Sequence, residues 1–299
     1  MKHRKNILAF LILFSFCSSV FGQITILSGS KLATQYRFAQ DIATIAGPSL
    51  SFKLVNQETQ GASYNFNQLT DPGTPYKVAI IQADYLYYMQ AQDMRLNTEK
   101  TRNLKVLVPL GYEQIHLVTK ASKGYKGLKD MVKKVVAIGS SDQGTYTTAT
   151  LIKERSKVFW KSVNTHFDDC FGDLNTGKID AFFIVCSAPI QKLDVNPQSM
   201  VDKLALVPLV DFNDWAKYYK PDIITKTEYK WLDQDIPTFS VRALLVVNES
   251  KLTTQERNDV TALRSAILNK DEQLKAGGHP QWKQINFLDW KESDWPTFK

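Results

Sequence analysis

The sequence predicts an α/β fold of two lobes, each a doubly wound, mainly parallel sheet, with the chain crossing twice between them. Three observations carry this. Short apolar runs alternate with amphipathic stretches, the pattern of strands covered on both faces by helices. The alternation runs through two comparable cycles. A strong apolar strand near the C-terminus is too little to found a third domain and is best used to complete the first lobe.

The first cycle opens with Ile24–Leu27 as a strand. Residues 32–46 read as a helix with Phe38, Ile42 and Ile45 on one face, stopped by Gly47-Pro48. Ser51–Val55 and Val78–Ile81 are strand-like, and Asp84 stands where it can cap the helix over 85–94. Leu104–Pro109 and Ile115–Thr119 read as two further strands. The second cycle has a buried strand at Val135–Ile138 and a polar loop, Gly139 to Thr145, feeding a helix through Glu154. It closes with a strand at Val163–Phe167, a short helix to Asn175 and a strand at Ile179–Val185. In the tail, Val241–Val247 is a strand, and Thr253 or Thr254 caps a helix with Val260, Leu263, Ile267 and Leu268 on its apolar side. The expected layout is residues 23–118 plus 240–299 as lobe 1 and 119–239 as lobe 2. The crossings fall near Leu117–Ala121 and between about 205 and 240, and two crossings make a hinge with a cleft.

Residues 1–22 have the layout of a secretory signal peptide: Lys2, Arg4 and Lys5, then an apolar run from Ile7 to Phe16, then small residues before Gln23. The apolar run is shorter than a membrane span. Cys17 offers lipidation as an alternative, but Phe14-Ser15-Phe16 puts a bulky residue where a small one is usual. Export to the periplasm is therefore expected. Of the formal +7 charge, three charges lie in this segment, and no Lys/Arg block remains to bind nucleic acid.

Cys170 and Cys186 remain after export, and an oxidising compartment permits a bridge. The strand at 135–138 is expected to lie between the strands that carry them. Two strand spacings, at about 4.8 Å each, exceed the usual reach of a disulfide, about 7 Å. The pair is expected to be unbridged.

Catalysis has little support. His116, His166 and His279 show no metal-ligand spacing. There is no Gly-x-Ser-x-Gly elbow, and Gly139–Thr145 lacks the Gly-Lys-Ser/Thr ending of a phosphate loop. Neither a catalytic residue nor a cofactor or metal is expected. His116 reads as structural. Ligands of open α/β sheets bind beyond the carboxyl ends of strands. Those ends carry Ser28, Ser30, Thr34 and Tyr36, then Gln82 and Asp84, then Ser140 to Thr145, then Ser187. Hydroxyls, amides and helix-start N–H groups can receive a carboxylate. Each also has a purely structural reading: Ser28 and Ser30 as caps, Asp84 as a cap, Gly144 as a tight turn, Tyr36 as core. Only their shared location marks a site.

At these segments the chain resembles the TAXI family of solute-binding proteins, the extracytoplasmic receptors of TRAP-type transporters. The resemblance rests on ILSGSKLATQY at 26–36, on Asn65 with VAIIQAD at 78–84, on AIGSSDQGT at 137–145, and on GKIDAFFIVCSAP at 177–189. It implies a type II periplasmic-binding-protein fold, a hinged cleft, a small ligand such as a carboxylate or amino acid, and a TRAP-type membrane permease as partner. Carried over by position, it places ligand contacts at Ser30, Thr34, Tyr36, Gln82, Gly144, Thr145 and Ser187. Lys31-Leu32-Ala33, Asp142-Gln143 and Cys186-Ser187 depart from the family's glycine-rich turns and narrow the site. Two other functions stay open: a stand-alone sensor or scaffold module using the same cleft, and an exported transferase on a related two-lobed fold.

Overall fold

The computed structural model describes residues 22–31, 33–195 and 203–299. Apart from Gly22, the expected export segment, Cys17 included, lies outside them, as does Leu32.

In chain order the strands and helices are β1 (Gln23–Leu27), α1 (Thr34–Asp41), β2 (Lys53–Gln57), α2 (Ala62–Thr70), β3 (Val78–Gln82), α3 (Ala83–Leu96), β4 (Leu104–Lys120), β5 (Val135–Ala137) and α4 (Gly144–Ser156). They continue as β6 (Lys161–Val163), α5 (Phe167–Thr176), β7 (Ala181–Cys186), α6 (Gln191–Val195), β8 (Leu204–Leu206), β9 (Lys220–Ile224), β10 (Ile236–Asn248), α7 (Thr254–Asn269) and α8 (Asp271–Gly277). The strands form one path, β2-β1-β3-β10-β4-β7-β5-β6, with β8 on β4 and β9 on β10.

Each end of this path is parallel. β1 pairs in parallel with β2 and β3, and β5 with β6 and β7. These are the crossover units that the alternating pattern predicts. The middle is antiparallel: β10 runs against both β3 and β4, and β4 runs against β7. The two long strands, β4 and β10, therefore link the two halves.

The hydrophobic clusters divide at the same strands. Leu107, Val108 and Leu110 of β4 share a core with Ala243, Leu245 and Val247 of β10, under α1 and α7. Ile115 and Leu117 share another with Phe239 and Val241, against β5, β7 and α4. Between them the β4–β10 ladder slips in register, between Arg242 and Leu244. Such a slip is a bulge, which bends the strand and increases its twist. Arg242 ties this point together. Its guanidinium donates to the carbonyls of Leu110 and Asn286 and lies over the Tyr112 ring.

Several expectations hold locally. Phe38 and Ile42 are fully buried. Thr253 caps α7, and Glu256 returns a bond to its N–H, a capping box. β5 lies between β6 and β7, and both cysteines are free and buried. Others need correction. Leu104–Pro109 and Ile115–Thr119 are one strand, because the ladder with β10 runs from Leu104 through the gap to Gln114, and β7 and β8 pair with the rest. The strand expected at Val163–Phe167 ends at Val163. Phe167 instead opens α5 and packs its ring on Phe171 and Phe182. Cys170 therefore lies within a helix.

Candidate functional site

Two polar turns face each other across the sheet. In the first half, β1 ends at Leu27, and Ser28 donates its hydroxyl to Asn56 and to the Gln57 carbonyl. Asn65 of α2 donates to the carbonyls of Ser28 and Ile80, at 2.6 and 2.9 Å, and so ties this turn to the end of β3. In the second half, Gly139 has a positive φ of 79°. A Cβ there would lie 2.6 Å from the Gln143 side-chain oxygen, so glycine alone fits without displacing it. That oxygen accepts the Ser140 N–H. Gln143 occupies the N-cap of α4 but makes no side-chain bond to the helix.

The turns meet. Gln82, at the end of β3, lies against the Gly144 backbone, where an added Cβ would stand 1.6 Å from its Oε1. The Tyr64 N–H donates to the Asp142 carbonyl. Thr34 Oγ1 receives the Ser187 N–H and touches Cys186 Sγ at 3.5 Å. Asp84 joins the halves more firmly: its Oδ2 accepts the Thr148 hydroxyl at 2.6 Å and the Tyr219 hydroxyl at 3.1 Å. Burial holds the Asp84 carboxyl above its ordinary range, against the pull of those two donors. The reading of Asp84 as a helix cap is thus corrected. It sits inside the first turn of α3, and its side chain reaches out to the other half.

Between the turns lies a cavity of about 250 Å³. Of the residues carried over by position, Ser30, Gln82, Gly144 and Thr145 line it. Thr34 and Ser187 stand behind the wall, bonded to each other. Ser187 also donates its hydroxyl to the Tyr112 carbonyl. Tyr36 is not in the lining. It points off α1 half-buried, and its carbonyl receives the Asn56 amide. One helical position separates it from Gln35, which does line the cavity, and a helix turns its face by about 100° per residue. Thr145 Oγ1 accepts the Val185 N–H, which anchors the start of α4 to β7.

Sequence reasoning missed the centre of the site. Glu113, in the middle of β4, is 1% exposed and lines the cavity. Its Oε2 accepts Gln35 Nε2 at 3.0 Å and Gln82 Nε2 at 2.8 Å. Burial pushes its carboxyl up to about 7, despite both amide donors, and the nearby Asp84 adds to the rise. A carboxylate inside the run 104–119, otherwise so apolar, was the available signal. His166, Cys170 and Cys186 also line the cavity. Among the described residues no group of three or more His, Cys, Asp or Glu is arranged to hold a metal, and no helix is long and apolar enough to cross a membrane.

Two α/β halves on two shared antiparallel strands, with a cavity between them, define the two-lobed periplasmic-binding-protein fold. The chain belongs to the NMT1-like family, which matches residues 26–290. Among solved structures it is similar to the periplasmic sulfonate-binding protein SsuA of a sulfonate ABC transporter from Methylobacillus flagellatus KT (12% identity over 92% of this chain and 76% of that one, TM-score 0.52). It is also similar to Tv2483 bound to L-arginine (14%, 90% and 94%, 0.51). A third is the effector-binding domain of QuiR in complex with shikimate (10%, 85% and 98%, 0.50). At these identities the likeness is one of fold. No curated protein matches the chain in sequence.

Proposed function

We propose that this chain is an exported solute-binding protein that closes two lobes on one small polar ligand and delivers it to a membrane permease. The observation that carries the reading is the cavity itself, lined by Ser30 and Gln82 from one half and Gly144 and Thr145 from the other. A site split between bodies that share a hinge can open and shut on its ligand. The hinge in this reading sits at Tyr112–Glu113 and Ser240–Arg242. The split of the cores supports placing the first crossing there, several residues before the expected Leu117–Ala121. The lobes are then 23–112 with 243–299, and 113–242.

The four segments resembling TAXI receptors support a TRAP-type permease as the partner. A carboxylate on the ligand has a natural seat at the first turn of α4. Gln143 leaves the N–H groups there without a side-chain acceptor, and a helix N-terminus favours an anion. The test is a thermal-shift screen of the mature chain against amino acids, small carboxylates, sulfonates and sugars, followed by calorimetry and small-angle scattering. Tight binding of one compound with compaction supports the reading. Binding without compaction removes lobe closure, and a screen without hits removes capture.

A further inference from the structure

We propose that the ligand of this cleft carries a cationic nitrogen, which Glu113 and Gln82 receive at the hinge. The inference rests on the capture reading above and adds the chemistry of the captured group.

The starting point is a buried carboxyl group with no cationic partner. Glu113 is buried, and its two donors are neutral amides that share a single oxygen, Oε2. Among the described residues, no lysine or arginine lines the cavity. Arg242 is the cation nearest along the ladder. It stands opposite Tyr112, while Val241 stands opposite Glu113. Neighbouring residues of a strand point to opposite faces, so the guanidinium is on the far side of the sheet from Glu113. The other acidic lining group, Asp168, is already paired with Lys192 and gives Glu113 no counter-charge. A buried carboxylate without a cation is costly to a fold. Such a group at the floor of a cavity is better explained by what the cavity receives.

Gln82 supplies the second, independent observation. Its Nε2 is spent on Glu113, and its Oε1 is buried with no hydrogen-bond donor. Gln82 is itself 2% exposed and lines the same cavity. An acceptor without a donor therefore lies one hydrogen bond away from a carboxylate without a cation. An ammonium or amidinium offers several N–H groups from one centre and satisfies both. The volume, about 250 Å³, holds roughly eight water-sized groups, which suits a small amine or amino acid. With a carboxylate at the start of α4, the ligand is a zwitterion, oriented with its cation at the hinge.

The experiment compares matched pairs that differ only in the nitrogen: glycine, L-alanine, L-glutamate and L-lysine, each against its 2-hydroxy counterpart, by calorimetry on the mature chain. The expected result is that, in at least one pair, the amine binds tenfold or more tightly than the hydroxy acid. Glu113→Gln should erase that preference while leaving the melting curve cooperative. Gln82→Met, which keeps the carboxylate and removes the orphan acceptor together with one of the two amide donors to Glu113, should reduce the preference without erasing it. If hydroxy acids bind as tightly as amines, or if Glu113→Gln keeps the preference, the inference is overturned and capture stands. If no member of any pair binds, the inference is overturned, and capture then depends on the wider screen.

Discussion

Gln82 and Gly144 are in contact across the cleft, and the contact depends on the missing side chain of the glycine. A Cβ at Gly144 would lie 1.6 Å from Gln82 Oε1 and 2.5 Å from its Cδ. Gln82 cannot simply swing aside, because its Nε2 is held by Glu113. The first lobe thus reads the backbone of the second at a helix start that carries no side chain.

Gly144→Ala should therefore hold the lobes apart while leaving each lobe folded. Its φ is not positive, so alanine brings no backbone strain. The expected outcome is a loss of affinity of about tenfold or more for whatever ligand the screen identifies, the size of one lost buried hydrogen bond. Small-angle scattering should show less compaction. Gly144→Ala with Gln82→Ala should regain compaction, since the clash is gone. Undiminished affinity in the single variant would show that closure does not bring these residues together.

Thr148→Val tests the other bridge between the lobes. Asp84 Oδ2 takes hydroxyls from Thr148 and Tyr219, while its Oδ1 is buried without a partner. Removing one donor leaves a buried carboxyl short of a bond, at a cost of about 1–3 kcal/mol. That cost falls on the closed state, where Thr148 and Asp84 meet. Ligand affinity should drop by about tenfold, and calorimetry on the variant is the check. Equal affinity would mean that the bond does not contribute to closure.

The fold was more legible in the sequence than the site. Strand–helix alternation is written locally, in apolar runs such as VAIIQ and VRALLVV, and the returning strand followed from the tail having no sheet of its own. The continuity of β4 was hidden. Gly111, Glu113 and Gln114 break its apolar pattern; the strand continues because Glu113 and Gln114 pair with β10, Gln114 also pairs with β7, and Gly111 falls in the register slip. Candidate contacts at strand ends were found because their position is set by topology. Glu113 was not, because it lies inside a strand and enters the cavity only where two lobes share that strand. Tyr36 and Gln35 show the limit of positional transfer, since one residue along a helix separates a wall from a neighbour of the wall. Tyr36→Ala should accordingly leave affinity unchanged, by the same titration.

His116 should stay neutral well into the acid range. Its Nε2 meets the Tyr229 hydroxyl at 2.9 Å, its Nδ1 lies 3.1 Å from the Gln114 carbonyl, and its ring is fully buried. Burial holds its pKa down to about 4 from an ordinary 6.5. The unfolded chain therefore binds the extra proton first. This group's stabilisation is complete above pH 6.5 and is lost progressively as pH falls toward 4, by about 3 kcal/mol in all. An imidazole NMR titration should show no protonation shift for His116 near pH 6.5. A shift there for His116 would contradict the buried pairing.

Glu113 should act in the opposite sense. Its folded carboxyl titrates at about 7, against an ordinary 4.5. Between those values the folded chain holds a proton that the unfolded chain has released. Stability from this group is fully present below pH 4.5 and declines as pH rises to 7. Above pH 7 both states are ionised, and the buried charge costs about 3 kcal/mol relative to acid conditions. Glu113→Gln keeps an oxygen to accept from Gln35 or Gln82 and cannot ionise. The variant should melt with the native chain near pH 4 and several degrees above it at pH 8. The His116 contribution is common to both proteins and cancels in that difference. Calorimetric melting of the two, unliganded, from pH 4 to 9 is the measurement. A constant gap across that range would mean that Glu113 is solvated in the folded protein. A gap that grows with pH and then shrinks on adding the amine ligand would show one carboxylate unfavourable to the empty fold and favourable to the filled cleft.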